Sequence, residues 1–170
     1  MIFVRMVLLG SAATFLQGSL AHLGLPASLM PQLALLIAVF GAFSESSVPA
    51  VFGAFSVGLI LDLSSAMILG PWSGAFVVVY LMLSLVSQRL FIDSGLVAAI
   101  VSFFAALLAG SLFAALSPSG DLLRGQHLVM LCGQAVVTAL VAPWLFAALS
   151  CVIGRPDPAS LRGPSPLSAR

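Results

Sequence analysis

"GLILDLSSAMILG", residues 58–70, reads as membrane-spanning helix at every position but one. Leucine, isoleucine and methionine dominate it, yet Asp62 stands one helical turn after Gly58, with Ser64 and Ser65 behind it. A carboxylate at the centre of a lipid-crossing helix costs about 2.5–3.5 kcal/mol, which some twenty apolar neighbours offset. That cost is tolerable but needs a compensating role, and the rest of the chain must show whether the surroundings are lipid.

They are. Hydrophobic residues make up 61% of the 170 positions and charged residues 6%, with a mean hydropathy of +1.22. A water-soluble domain carries about a quarter charged residues because its outside faces water. Here nearly all charges punctuate apolar runs. The chain has no lysine and a net charge of +1, so no basic stripe exists to follow a phosphate backbone, and the pattern points away from nucleic acid.

A helix needs about 20 apolar residues to cross the hydrocarbon core. Six runs approach that, near 3–23, 28–43, 49–69, 71–88, 95–117 and 127–153. The expected fold is therefore all-α: a polytopic integral membrane protein, a six-helix transmembrane bundle over 1–153. The second run is short and places Pro31 in its first turn, where a missing N–H costs little. In the sixth, Pro143 followed by Trp144 is expected to kink the helix or shorten the span. The opening stretch, with its lone Arg5, reads as a cleavable signal or an uncleaved first helix, and the later spans favour the second.

Arginine placement sets the orientation. One side receives Arg5, Arg89, Arg155, Arg162 and Arg170, the other only Arg124, which predicts both termini in the cytoplasm. The tail, 154–170, is rich in proline and small polar residues and is expected to be disordered and cytoplasmic.

In lipid, close backbone approach decides how helices associate, and small residues four apart permit it. Ala54, Gly58, Asp62 and Ala66 share one face of the third run, Ala106, Gly110 and Ala114 one face of the fifth, and Gly10, Thr14 and Gly18 one face of the first. Asp62 thus lies on a packing face beside Ser65. It reads as a packing or assembly centre, as a side chain merely paired with Ser64, Ser65 or Gln17, or as a transport or catalytic group.

The patterns of intramembrane chemistry are weak. Aspartyl proteases of the membrane need two aspartates sharing a proton, and one lies at membrane depth here. Ser73 and His127 allow a serine–histidine pair in principle, but Pro71 stands where the rhomboid-type motif has glycine. His22 and His127 lack ligand-spaced neighbours and read as interfacial caps, so no metal or other cofactor is expected. Cys132 and Cys151 are about 28 Å apart along one helix, too far to bridge, and read as small packing residues. Trp72 and Trp144 read as interface anchors or packing residues.

Residues 30–91 resemble the rod shape-determining MreD family in the order of their parts. Pro31 opens a leucine-rich second span, a short polar loop follows, and then come Gly58 and Asp62 with the pair Leu69 and Gly70 closing the stretch. "APWLFAALSCVIGR", 142–155, with Pro143 and Trp144, is similar to the family's Pro-Trp segment near its C-terminus. About half the chain is covered closely. Departures are Ala66, where members often have glycine, the acidic Glu45 in the first cytoplasmic loop, and a single Arg89 in the fourth-to-fifth loop.

The resemblance implies a non-catalytic scaffold of the rod complex, or elongasome, in the bacterial inner membrane, supporting lateral peptidoglycan synthesis and rod cell shape. Its implied partners are an MreC-like single-span protein, the MreB filament, the RodA glycosyltransferase and a class B penicillin-binding transpeptidase. Gly58, Asp62, Ser65, Leu69, Gly70, Pro31, Pro143 and Trp144 are the residues expected to carry packing and assembly. The competing expectation is a small-molecule-binding S subunit of an energy-coupling-factor transporter, which needs a polar and aromatic pocket near the outer face. Trp72, Ser73, His22 and His127 are the sequence's only candidates for it.

Overall fold

The computed structural model describes residues 2–22, 24, 26–44, 47–65, 70–87, 95–116 and 125–153, and these form helices without any strand. In order they are α1 (Ile2–His22), a 3-10 turn (Ala27–Leu29), α2 (Leu33–Ser44), α3 (Val48–Ser64), α4 (Pro71–Ser87), α5 (Gly95–Leu116) and α6 (Gly125–Ile153). Glu45, Ala66, Leu69, Arg89, Asp121, Arg124 and the tail 154–170 lie outside the described residues.

Among the described residues, three helices are long and apolar enough to cross a membrane. Their candidate spans are Phe3–Leu20 in α1, Gly95–Leu116 in α5 and Leu128–Cys151 in α6, with mean hydropathies of 1.3, 2.4 and 1.9. Large apolar side chains on these helices point outward, among them Phe15 at 76% exposed and Val129 at 73%. Such surfaces are the rule where lipid is the solvent. The remaining helices are shorter, with 12 residues in α2 and 17 each in α3 and α4.

The shortest helix is the centre. Every residue from Leu33 to Phe43 is buried, and α2 touches each of the other five helices. Its sequence, LALLIAVFGAFS, is apolar on all sides, the pattern of a helix enclosed by others. Phe40 meets Phe146 of α6 edge to face at 5.5 Å, a favoured aromatic geometry.

Pro31 was expected within the first turn of the second helix, but it precedes that helix, which begins at Leu33. The chain reaches it through the 3-10 turn and a short irregular stretch, and buried non-helical backbone must find hydrogen-bond partners inside the protein. It does so in three places. Leu29 N–H donates to the Pro26 carbonyl at 2.9 Å, Leu33 N–H to the Pro31 carbonyl at 3.0 Å, and the buried Gln32 N–H to the Thr138 hydroxyl of α6 at 3.0 Å. The Thr138 hydroxyl itself donates to the Gln134 carbonyl at 2.7 Å, so it serves α6 and the segment before α2 at once. Thr138→Val keeps the shape and leaves the Gln32 N–H without a partner, at a cost of about 1–3 kcal/mol. A fall in melting temperature of several degrees in detergent, with helical content unchanged, is the expected result.

Close approach between helices follows the small-residue pattern in part. A Cβ on Gly10 of α1 would strike Val57 of α3, and one on Gly110 of α5 would strike Leu131 of α6. Met6 lies in a notch whose floor is Gly41 of α2 and Gly53 of α3, a flexible thioether filling an irregular gap. Gly18 departs from the pattern, being exposed with no atom within 4 Å of where its Cβ would be. The helix α6 runs unbroken through Pro143, so the proline does not shorten it, and a Cβ on Gly95 at the start of α5 would lie 3.3 Å from the Pro143 ring. Cys132 and Cys151, expected to pack inside, are both exposed on α6.

Candidate functional site

Three backbone N–H groups converge on the Asp62 carboxylate. Its Oδ2 accepts from Gly70 N–H at 3.0 Å and from Ser73 N–H at 3.1 Å, and its Oδ1 accepts from Trp72 N–H at 3.0 Å. These donors belong to the N-terminus of α4, where the first N–H groups of any helix lack an intrahelical acceptor. Pro71 has no N–H to satisfy, and Gly74 N–H closes the first turn on the Gly70 carbonyl at 2.8 Å. The aspartate of α3 is therefore the cap of α4, supplied from eight residues upstream. It places negative charge density at the positive end of the α4 dipole.

The neighbouring residues make this reach feasible. Gly58 lies one turn before Asp62, and a Cβ there would come within 2.6 Å of Ser73 Cα and 2.9 Å of Ser73 N and of the Trp72 carbonyl. The two helices thus touch backbone to backbone. Gly70, the cap position of α4, has φ +122°, which side-chain-bearing residues rarely adopt. The Ser73 hydroxyl donates to the Gly70 carbonyl at 3.0 Å, so it is engaged within the first turn. Trp72 then stacks on Phe113 of α5, with ring centroids 4.4 Å apart, and meets Phe76 edge to face. A chain of contacts consequently runs from the Asp62 carboxylate through the start of α4 to α5.

The structure divides the expected site residues into groups. Gly58, Asp62 and Gly70 come together at one point. Ser65 ends α3 close by, but its hydroxyl donates to the Asp62 backbone carbonyl at 3.0 Å, and Ser64 likewise donates to Ile60. Neither serine partners the carboxylate, and the amides of Gly70, Trp72 and Ser73 do. Pro31 and Pro143 lie elsewhere in the bundle, at the break before α2 and within α6. Trp144 is 81% exposed, so it faces outward rather than into the packing. Leu69 lies outside the described residues.

A cavity of about 190 Å³ opens beside this turn, lined by Gln17, Gln32, Ala34, Leu35, Leu61, Ser65, Trp72, Phe76 and Gln134. Gln17 was a candidate partner for Asp62 and instead contributes to this wall. The signal for it in the sequence was three glutamines, each alone in an apolar run, whose convergence depends on how five helices pack. Among the described residues no group of three or more histidine, cysteine, aspartate or glutamate side chains could hold a metal ion.

No protein-family model matches the chain, and neither a curated protein nor a solved structure matches it. What the site can do must therefore be argued from its geometry. Asp62 is 1% exposed, and both of its oxygens are engaged by backbone donors. Such a carboxylate is suited to holding two helices in register.

Proposed function

We propose that this chain is a non-catalytic scaffold subunit of the rod complex in the bacterial inner membrane. In this reading six helices cross the membrane, both termini are cytoplasmic, and an MreC-like single-span protein docks on the bundle. The MreB filament, the RodA glycosyltransferase and a class B penicillin-binding transpeptidase complete the assembly around it. The observation that carries the reading is the Asp62 cap. Gly58, Asp62 and Gly70, three of the residues that carry the MreD resemblance, form one structural device, and its output is a close, hydrogen-bonded junction between α3 and α4. Assembly on a fixed surface uses such a junction directly, whereas proton transfer needs a carboxylate whose oxygens can be reached.

One observation favours a second reading, a small-molecule-binding subunit of an energy-coupling-factor transporter. The cavity beside Trp72 supplies more polar and aromatic groups than the sequence promised. Purification of the tagged chain from its own host in mild detergent, with mass spectrometry of co-eluting proteins, separates the two. The scaffold reading expects a stoichiometric MreC-like protein with cell-wall synthases. A pair of ATPases with a transmembrane coupling subunit overturns it.

A further inference from the structure

Neither helix of the Asp62 junction is built to cross a membrane alone. With 17 residues each, α3 and α4 rise about 25 Å, short of the roughly 30 Å hydrocarbon core, and neither is among the three helices long and apolar enough to span it. Each also carries a polar liability into lipid. In α3 it is the Asp62 carboxylate, close to the end of the helix at Ser64. In α4 it is the N–H groups of the first turn, which have no acceptor within their own helix.

The two liabilities cancel against each other. The carboxylate is 1% exposed, and the donors its oxygens accept from, Gly70, Trp72 and Ser73, all stand at the start of α4. Gly58 brings the two backbones into contact at the same point. The pairing is also local, with donors only 8 to 11 residues beyond the carboxylate, so it needs no other helix in place before it forms. We propose that α3 and α4 enter the membrane together as one helical hairpin, held by the Asp62 carboxylate on the α4 amides, and that α3 with its aspartate does not keep a transmembrane position without α4. The carboxylate then acts as a check on membrane insertion, because a chain whose α4 stays out of the lipid loses α3 as well. This inference rests on the reading in which α3 and α4 cross the membrane, and on none of the partners in that reading.

The test follows full chains synthesised into inverted inner-membrane vesicles, which keep the cytoplasmic face outside, and labels them during synthesis so that the result does not depend on a stable final fold. Cys132 and Cys151, both exposed, are changed to serine, and Val48→Cys or Ser64→Cys supplies a single thiol at one exposed end of α3. In the otherwise unaltered chain a membrane-impermeant maleimide reaches Val48→Cys directly and Ser64→Cys only after detergent. Leu81→Asp combined with Met82→Asp, at two outward-facing positions near the middle of α4, keeps α4 out of the lipid without touching the junction. The expected result is that Ser64→Cys then reacts without detergent in at least about half of the chains, and that adding Asp62→Leu returns it to the far side. Ser64→Cys remaining on the far side in the α4 variant with Asp62 intact overturns the proposal, as does failure of Asp62→Leu to restore it. Direct reaction of both thiols in the otherwise unaltered chain is a separate outcome, which overturns the crossing of α3 itself and the six-span reading together with this proposal.

Discussion

Asp62→Leu is expected to lower the melting temperature of the purified bundle by roughly 10 °C, from the loss of acceptors for three N–H groups at about 1–3 kcal/mol each and a shift of about 2–4 °C per kcal/mol for a chain of this size. Leucine shares the branching of the carboxylate but is bulkier, so overpacking of this buried position adds to the loss of the hydrogen bonds. Membrane insertion should respond in the opposite direction, because α3 without its aspartate enters lipid about 2.5–3.5 kcal/mol more readily. Fluorescence-detected size-exclusion chromatography after a heat step reads the first effect, and the amount of membrane-inserted protein reads the second. Unchanged heat stability would show that the cap does not hold α4. Asp62→Asn should fall between the two. Its oxygen retains one side of the site, while its NH2 group confronts a backbone N–H on the other.

Gly58→Ala is expected to destabilise the bundle nearly as much, although it adds a single methyl group to a small-residue face. The added carbon meets backbone, Ser73 Cα at 2.6 Å and Ser73 N at 2.9 Å, which cannot rotate aside as a long side chain would. Overpacking of this kind costs about 1–3 kcal/mol. A second loss is added to it. The Asp62 bonds to the start of α4 are already 3.0–3.1 Å long, and moving the helices apart by a further half ångström weakens all three together. Gly58→Ala and Asp62→Leu therefore act on one junction, and the double variant should be only slightly less stable than the worse single one. Additive losses in heat stability would mean that the glycine and the aspartate serve separate contacts.

Much of the fold was legible because lipid imposes a simple rule: backbone groups must be satisfied within each segment, so apolar runs become helices. Four of the six expected runs match observed helices within two residues at both ends, and the second run begins five residues before its helix. The third helix is the more instructive departure, since the apolar run reaches residue 69 and the helix stops at Ser64. An aspartate that caps the next helix needs the chain to reverse between them, and no hydropathy profile contains that requirement. Likewise the brevity of α2 was legible, but its place at the centre was not. A helix apolar on all sides is suited equally to lipid and to the interior of a bundle.

Composition and spacing alone determined that the chain is helical, that its surroundings are lipid, and that Asp62 shares a face with Gly58. Those properties depend on local chemistry and on the helical repeat. Only the tertiary structure decided what the carboxylate binds, because its partners are backbone amides, which every residue but proline carries and which leave no mark in a sequence. The same reason hid the double role of the Thr138 hydroxyl. Three glutamines from different segments became one cavity wall only when packing brought them together, and Trp144, apolar and near a proline, turned outward because of the rotational setting of α6.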